Sequence, residues 1–274
     1  MTEFILTHES SLRLGVFISI LLIMMAAEAV FPRKQRALPR AHRWTSNLLL
    51  IVIDGVFVRL LFPIVAVGVA VIAAEKNWGL FNWLEMPIWL EITLSIIILD
   101  MMIYWQHVAF HHVPVLWALH KVHHADRDID VTTGSRFHPI EISISMAYKM
   151  ALVAILGAPV LAVILFELIL NGCAMFNHSN VRLPLGFDKW LRRFIVTPDM
   201  HRVHHSTIVA ETNSNFGFSL SLWDRIFGSY TPQPTQGHDG MVIGLKEYQT
   251  KGPASLAWSL WLPFKAKKTL EKWI

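Results

Sequence analysis

The chain has 274 residues, of which 54% are hydrophobic and 16% charged, and its mean hydropathy is +0.44. Soluble domains carry about 25% Asp, Glu, Lys and Arg, so the charge that would clothe a free cytoplasmic enzyme, a disordered tail or a nucleic-acid binder is missing. A net charge of +4 and a single cysteine, Cys173, also exclude a polyanion-binding surface, an internal disulfide and a thiolate metal site. Against this oily background stand 14 histidines and 11 tryptophans.

The first apolar run, within 10–31, is interrupted only by Glu28. Ala27-Glu28-Ala29 has the small-residue pattern of a signal-peptidase site, but Glu3 and Glu9 ahead of it make the wrong flank for a cleaved leader. Arg33, Lys34, Arg36, Arg40 and Arg43 follow with no acid among them. Basic loops stay on the cytoplasmic side, so the run reads as an anchor whose N-terminus faces outward. A second span is expected over 47–74, with Asp54 and Arg59 turned toward neighbouring helices or an interface. The short link that follows carries Trp78 and Trp83, as outer interfacial loops do. A third span, 86–105, returns to the cytoplasmic side.

The stretch 140–176 is too long for one crossing, and Gly157-Ala158-Pro159 divides it into pieces of about 25 Å as helices. It reads as a hairpin entering and leaving on one side, with Lys149 facing the bundle or a polar cavity. Residues 253–274 mix Trp258, Trp261, Phe264 and Trp273 with Lys265, Lys267, Lys268 and Lys272, the pattern of an amphipathic helix on an anionic leaflet. The expected fold is therefore all-α and integral to the membrane: three transmembrane helices plus a hairpin, under a cytosolic helical cap from 106–139 and 177–250.

The cap segments hold the histidines. His107 and His111 share one helix face, and His120-Lys-Val-His123-His124 and His201-Arg-Val-His204-His205 each project three imidazoles from about one turn. So many imidazoles would repel one another if charged and lack partners if neutral; metal ions take up the lone pairs. Eight or more are too many for one ion, so two ions are expected, and imidazole alone admits zinc, copper, iron or nickel. Both triplets must lie on one side of the membrane, which favours the hairpin. Asp100, Asp199 and, less strongly, Glu141 are placed to accept the non-ligating N–H of a ligand histidine. Asp126, Asp128 and Asp130 read as a solvated loop, and His8, His42 and His238 as ordinary packing residues.

Asp100-x3-Tyr104-Trp105-x-His107-x3-His111, Leu116-Trp117-x2-His120-x2-His123-His124, Thr197-Pro198-Asp199-Met200-His201-x2-His204-His205 and the closing Asn215-Phe216-Gly217 to Leu222-Trp223-Asp224-Arg225-Ile226-Phe227-Gly228 resemble the fatty acid hydroxylase/sterol desaturase superfamily. The resemblance covers about 95–232. It implies a membrane non-haem di-iron enzyme that uses O2 to hydroxylate or desaturate a lipid. Carried over by position, the iron ligands are His107, His111, His120, His123, His124, His201, His204 and His205, with His178 as a ninth. His138 matches the pattern outside this ligand set, and His112 is extra to the usual box. The resemblance further implies a lipid substrate drawn from the bilayer. It also implies an electron donor on a separate protein, of reductase, cytochrome or ferredoxin type. The active site is expected at the cytoplasmic face of the cell membrane.

Two other readings start from the same histidines. A membrane zinc hydrolase needs a general-base Glu, as in H-E-x-x-H, and the sequence has no such motif. A non-catalytic metal or haem-type electron carrier would place its histidines inside facing membrane helices, whereas these cluster just beyond the apolar runs.

Overall fold

The structure, a computed structural model, describes residues 7–265. Among these residues the chain is helical, and β-pairing is limited to isolated bridges. The principal helices are α1 (Glu9–Val30), α2 (Arg40–Leu61), α3 (Ala66–Lys76), α4 (Ile88–His112), α5 (Pro114–His124), α6 (Pro139–Leu156), α7 (Val160–Asn177), α8 (Leu185–Leu191) and α9 (Pro198–His204). Among the described residues five passages are long and apolar enough to cross a membrane: α1, α2 with α3 taken together, α4, α6 and α7.

The run expected as one helix over 47–74 is broken. Phe62 is extended (φ −120°, ψ 105°) ahead of Pro63, and α3 begins only at Ala66. Proline removes a helical N–H and pushes the residue before it out of the α region, so the apolar pattern continues while the helix does not. The third helix differs in the other direction. α4 runs on to His112 without a break, which carries His107 and His111 on a rigid extension of the span.

The hairpin is made by α6 and α7. Gly157 closes α6 at φ +65°, a left-handed conformation that favours glycine, and Pro159 caps α7. The tip is met by the loop after α3. Gly79 has φ +91°, and a Cβ there would overlap the backbone nitrogen of Gly157. Leu99, Ile103, Val153, Leu156, Val163 and Phe166 form the apolar core with Ala66 and Ala70, whose small side chains let α3 approach closely.

The cap closes over the opposite end. Asp126, Asp128 and Asp130, expected as a solvated loop, are all buried. The Arg43 guanidinium of α2 donates to both Asp126 oxygens at 2.7 Å and to Asp130 at 2.6 Å, while Asp128 accepts the backbone N–H of Ala37 and Leu38. These acids are not a solvated face because their partner lies more than 80 residues away in the chain. Glu28, at the end of α1, accepts N–H groups from Val131 at 2.7 Å and Asn180 at 2.9 Å, so it ties the anchor to both cap segments.

Of the amphipathic segment expected over 253–274, the described part is a helical turn, Leu256–Trp261, followed by Leu262–Phe264. Leu262 is fully buried beside Trp117 and Val122, while Trp261 and Phe264 face outward. Lys267, Lys268, Lys272 and Trp273 lie outside the described residues.

Candidate metal centre

Three helix ends deliver the histidines. His107 and His111 sit one turn apart on α4. α5 starts at Pro114, which fits the first turn because its missing N–H has no helical partner there, and ends in His120, His123 and His124. α9 starts at Pro198 behind the Thr197 cap, whose hydroxyl accepts the Met200 N–H, and presents His201, His204 and the following His205. His178 caps the end of α7. All nine are buried, and their ring nitrogens converge into two groups. One contains His107, His111, His120, His124 and His204; the other contains His123, His178, His201 and His205, with the candidate ligand atoms of each group within 4.8 Å of one another.

The hydrogen bonds around the rings fix which nitrogen faces inward. His107 Nδ1 lies 2.7 Å from the Phe216 carbonyl, and His204 Nδ1 lies 2.7 Å from the Ser214 carbonyl. His120 Nδ1 lies 2.6 Å from a Glu141 carboxylate oxygen. Carbonyl and carboxylate oxygens accept, so each Nδ1 carries the hydrogen and each Nε2 is a bare lone pair. Yet His107 Nε2 stands 3.1 Å from the Nε2 atoms of both His120 and His204. The second group repeats this: His123 and His178 face the Arg136 and Ala174 carbonyls through Nδ1, and their Nε2 atoms meet at 3.0 Å. Lone pairs aimed at one another in a buried space repel unless a cation lies between them. His111 and His124 each leave Nε2 buried without a partner, and His205 leaves both ring nitrogens so.

Burial pushes the His120 imidazole down to about 3 and that of His178 to about 4. Burial first, and neighbouring imidazoles after it, hold His123, His124, His201 and His205 well below the ordinary histidine value. The rings are neutral at physiological pH, which is the form that ligates metal. The donor set therefore fits two nitrogen-ligated metal ions.

A sequence profile described as fatty acid hydroxylase matches residues 92–229, which contain all nine clustered histidines. The chain belongs to the fatty acid hydroxylase family. Among curated relatives, ornithine lipid hydroxylase OlsE of Rhizobium tropici is 28% identical over 58% of this chain and 47% of its own length. Alkylglycerol monooxygenase of Xenopus tropicalis is 32% identical over 71% of this chain and 43% of its own length. Lathosterol oxidase of Homo sapiens is 30% identical over 66% of this chain and 56% of its own length. The chain thus spans about half the length of the curated relatives it matches. No solved structure matches it significantly.

Not every residue singled out in the sequence of this family member joins the cluster. His112 points away: it is exposed, with Nδ1 2.9 Å from the Val108 carbonyl of its own helix. His138 caps α6 through the Ile140 N–H and contacts the Leu260 carbonyl. Asp199, expected beside His201, pairs with Arg33 at 2.9 Å, with Arg202 at 3.7 Å and with His238 at 3.7 Å, and bonds no clustered histidine. Asp100 likewise accepts from Trp223 Nε1 and the Leu220 N–H. The carboxylate that does reach a clustered histidine is Glu141. It succeeds because α6 begins at Pro139 and turns the buried face of its first turn, with Glu141, onto α5.

The closing motif of the family has a role that spacing did not reveal. Asn215 adopts a left-handed conformation (φ 50°) and is held by Met200 and Thr231. Asp224 accepts the Phe216 N–H at 2.7 Å and the Gly217 N–H at 3.0 Å. This fixed turn aims the Ser214 and Phe216 carbonyls at His204 and His107. The signal was present in the sequence as a motif, but nothing in its spacing says that its backbone, rather than its side chains, contacts the histidines.

Proposed function

We propose that the protein is a membrane-bound, O2-dependent lipid hydroxylase or desaturase, with one iron ion in each histidine group. The observation that carries this reading is the convergence of the bare Nε2 atoms of His107, His120 and His204, each fixed by an acceptor behind the ring. Irons bound there supply the redox chemistry: O2 is reduced with electrons from a donor protein while a lipid C–H bond is oxidised.

The chain's own residues set the conditions for that chemistry. The carbonyls of Phe216, Ser214, Arg136 and Ala174 hold the rings as Nδ1–H tautomers and stop them rotating. Glu141 does the same for His120 and makes it the most electron-rich ligand of its group. The lids of cap structure over the rings bury all nine and exclude water that would intercept reactive species. A cavity between α4, α6 and α7 adjoins His107 and His120, so a lipid can enter sideways from the bilayer. The run of basic residues from Arg33 to Arg43, with no acid among them in the sequence, supports a reading in which this end of the molecule faces the cytoplasm at the cell membrane.

The test is metal content together with turnover. Protein purified from iron-supplemented cells should hold one iron per histidine group. With reductant and O2 it should add one oxygen atom to, or remove two hydrogens from, a lipid in a panel of alkylglycerols, ornithine lipids and sterols. Obligatory zinc, or a haem absorbance, would overturn the reading.

A further inference from the structure

The cavity beside His107 and His120 has a volume of about 120 Å³ and lies between membrane-spanning helices, yet its wall is not uniformly apolar. Gln106 of α4, Ser145 and Lys149 of α6 and Asn171 of α7 all line it. Polar side chains within a membrane span are costly unless they have partners, and an ionisable one such as Lys149 marks a functional site by default.

Their hydrogen bonds leave donors unused. Ser145 Oγ donates to Gln106 Oε1 at 3.1 Å, which orients the Gln106 amide so that its NH2 remains free. Lys149 donates to Glu167, which also receives Arg13, and Arg13 pairs in turn with Glu9 at 3.1 Å, so two cations meet two carboxylates while further N–H groups of the lysine stay available. Asn171 is exposed at the cavity and its side chain has no partner among the described residues. The wall therefore leaves N–H groups of Gln106, Lys149 and Asn171 unused, beside the Asn171 amide oxygen and, at the histidine end, the unpartnered Glu141 Oε2. A hydrocarbon would leave them all unsatisfied.

We propose that Gln106, Lys149 and Asn171, with Ser145 as the residue that positions Gln106, form a recognition subsite for an uncharged oxygen acceptor on the lipid. A hydroxyl, ether or ester oxygen meets that description; a plain hydrocarbon or carotene does not. Gln106 adjoins His107, and Lys149 lies eight residues along α6 from Glu141, about 12 Å of helix. The acceptor oxygen thus sits within about 12 Å of the carbon that reacts. The cavity has room for about four waters' worth of atoms. It holds that segment of the lipid alone, and the rest leaves past Asn171 into the bilayer. This subsite rests on the lipid-oxidising reading above.

Hexadecan-1-ol and hexadecane, matched in chain length and tritium-labelled, are compared for retention by the full chain in nanodiscs, relative to empty discs. The wild type should retain the alcohol about tenfold better, the effect of about 1.4 kcal/mol. Asn171→Leu and Ser145→Ala should each bring that ratio toward unity, through the alcohol alone, with iron content unchanged. Equal retention of both probes by the wild type, or a ratio untouched by both substitutions, would overturn the subsite. A preserved ratio in protein that holds no iron and turns over no lipid would instead overturn the oxygenase reading and leave the subsite standing.

Discussion

His120 and Glu141 are joined by a 2.6 Å hydrogen bond from the imidazole Nδ1–H to carboxylate Oε1, and both side chains are almost wholly buried. The bond fixes the ring's tautomer and directs Nε2 at His107. Removing the carboxylate should free the ring to rotate or to exchange its proton between nitrogens. Glu141→Ala is therefore expected to lower iron affinity or turnover by about 10- to 100-fold. Glu141→Gln, whose amide oxygen still accepts from Nδ1–H, should retain more of both. Titration of iron into apo-protein, with turnover measured in parallel, reads the difference, and equal values for the two variants would show that the bond does not act through acceptance.

Replacement of His123 or His204 by Ala should abolish turnover while membrane insertion persists, because each contributes a bare nitrogen to the centre of its group. His112→Ala should stay within twofold of wild type, since that ring is exposed and bonds only its own helix. Turnover and iron content of detergent-solubilised protein check both halves. A strong loss in the third variant with full activity in the first two would exchange the assignments.

Asp224 satisfies two buried N–H groups on the turn that aims carbonyls at His107 and His204. Asp224→Ala should cost about 1–3 kcal/mol for each donor left without a partner. Iron should be lost along with stability, although Asp224 touches no clustered histidine. Thermal unfolding of apo-protein separates the two effects: the destabilisation should be present before any iron is added.

The parts of this protein that were legible in its sequence are those that rest on local periodicity. Helix spacing places His120, His123 and His124 on one turn, and an apolar run cut by Gly157 makes a hairpin, without reference to anything distant. What escaped depends on contacts between remote segments. Asp126 cannot be told from a solvated acid until Arg43, 83 residues away, is seen to fill the space beside it. Proximity in sequence favoured Asp199 over Glu141 as a neighbour of the histidines. In the fold Asp199 turns outward to Arg33, and the first turn of α6 brings Glu141 to His120. The family resemblance supplied the ligand positions; it did not supply the backbone turn that orients them.

Orientation is checked by single cysteines in a Cys173→Ser background. Gln35 and Gly240 are exposed on the cap side, and Leu80 is exposed on the loop that docks on the Gly157 tip. Cysteines at 35 and 240 should react with an impermeant maleimide only after the cell is opened, and one at 80 should react in intact cells. Labelling of 35 from outside would reverse the proposed sidedness.

The buried Arg43–Asp126 pair makes a pH prediction whose sign depends on the arginine. Burial raises the Asp126 carboxyl, but the Arg43 guanidinium and its hydrogen bonds outweigh this and pull it down to about 2. The unfolded chain protonates the same group near its ordinary value of about 4. The pair therefore stabilises the fold fully above about pH 4, and that contribution is lost as pH falls from 4 toward 2. Arg43→Ala removes the cation and leaves a buried carboxylate without its partner, at an expected cost of about 3–5 kcal/mol. In that variant Arg136 and the Thr133 hydroxyl still favour the charged form, but burial is the largest single influence and is expected to raise the Asp126 carboxyl above its unfolded value. Its folded form then prefers the protonated acid, and stability should rise rather than fall as pH is lowered from neutrality through the raised value. Thermal unfolding of both proteins between pH 7 and about pH 4 distinguishes these slopes. Parallel slopes would show that Arg43 does not set the ionisation of Asp126.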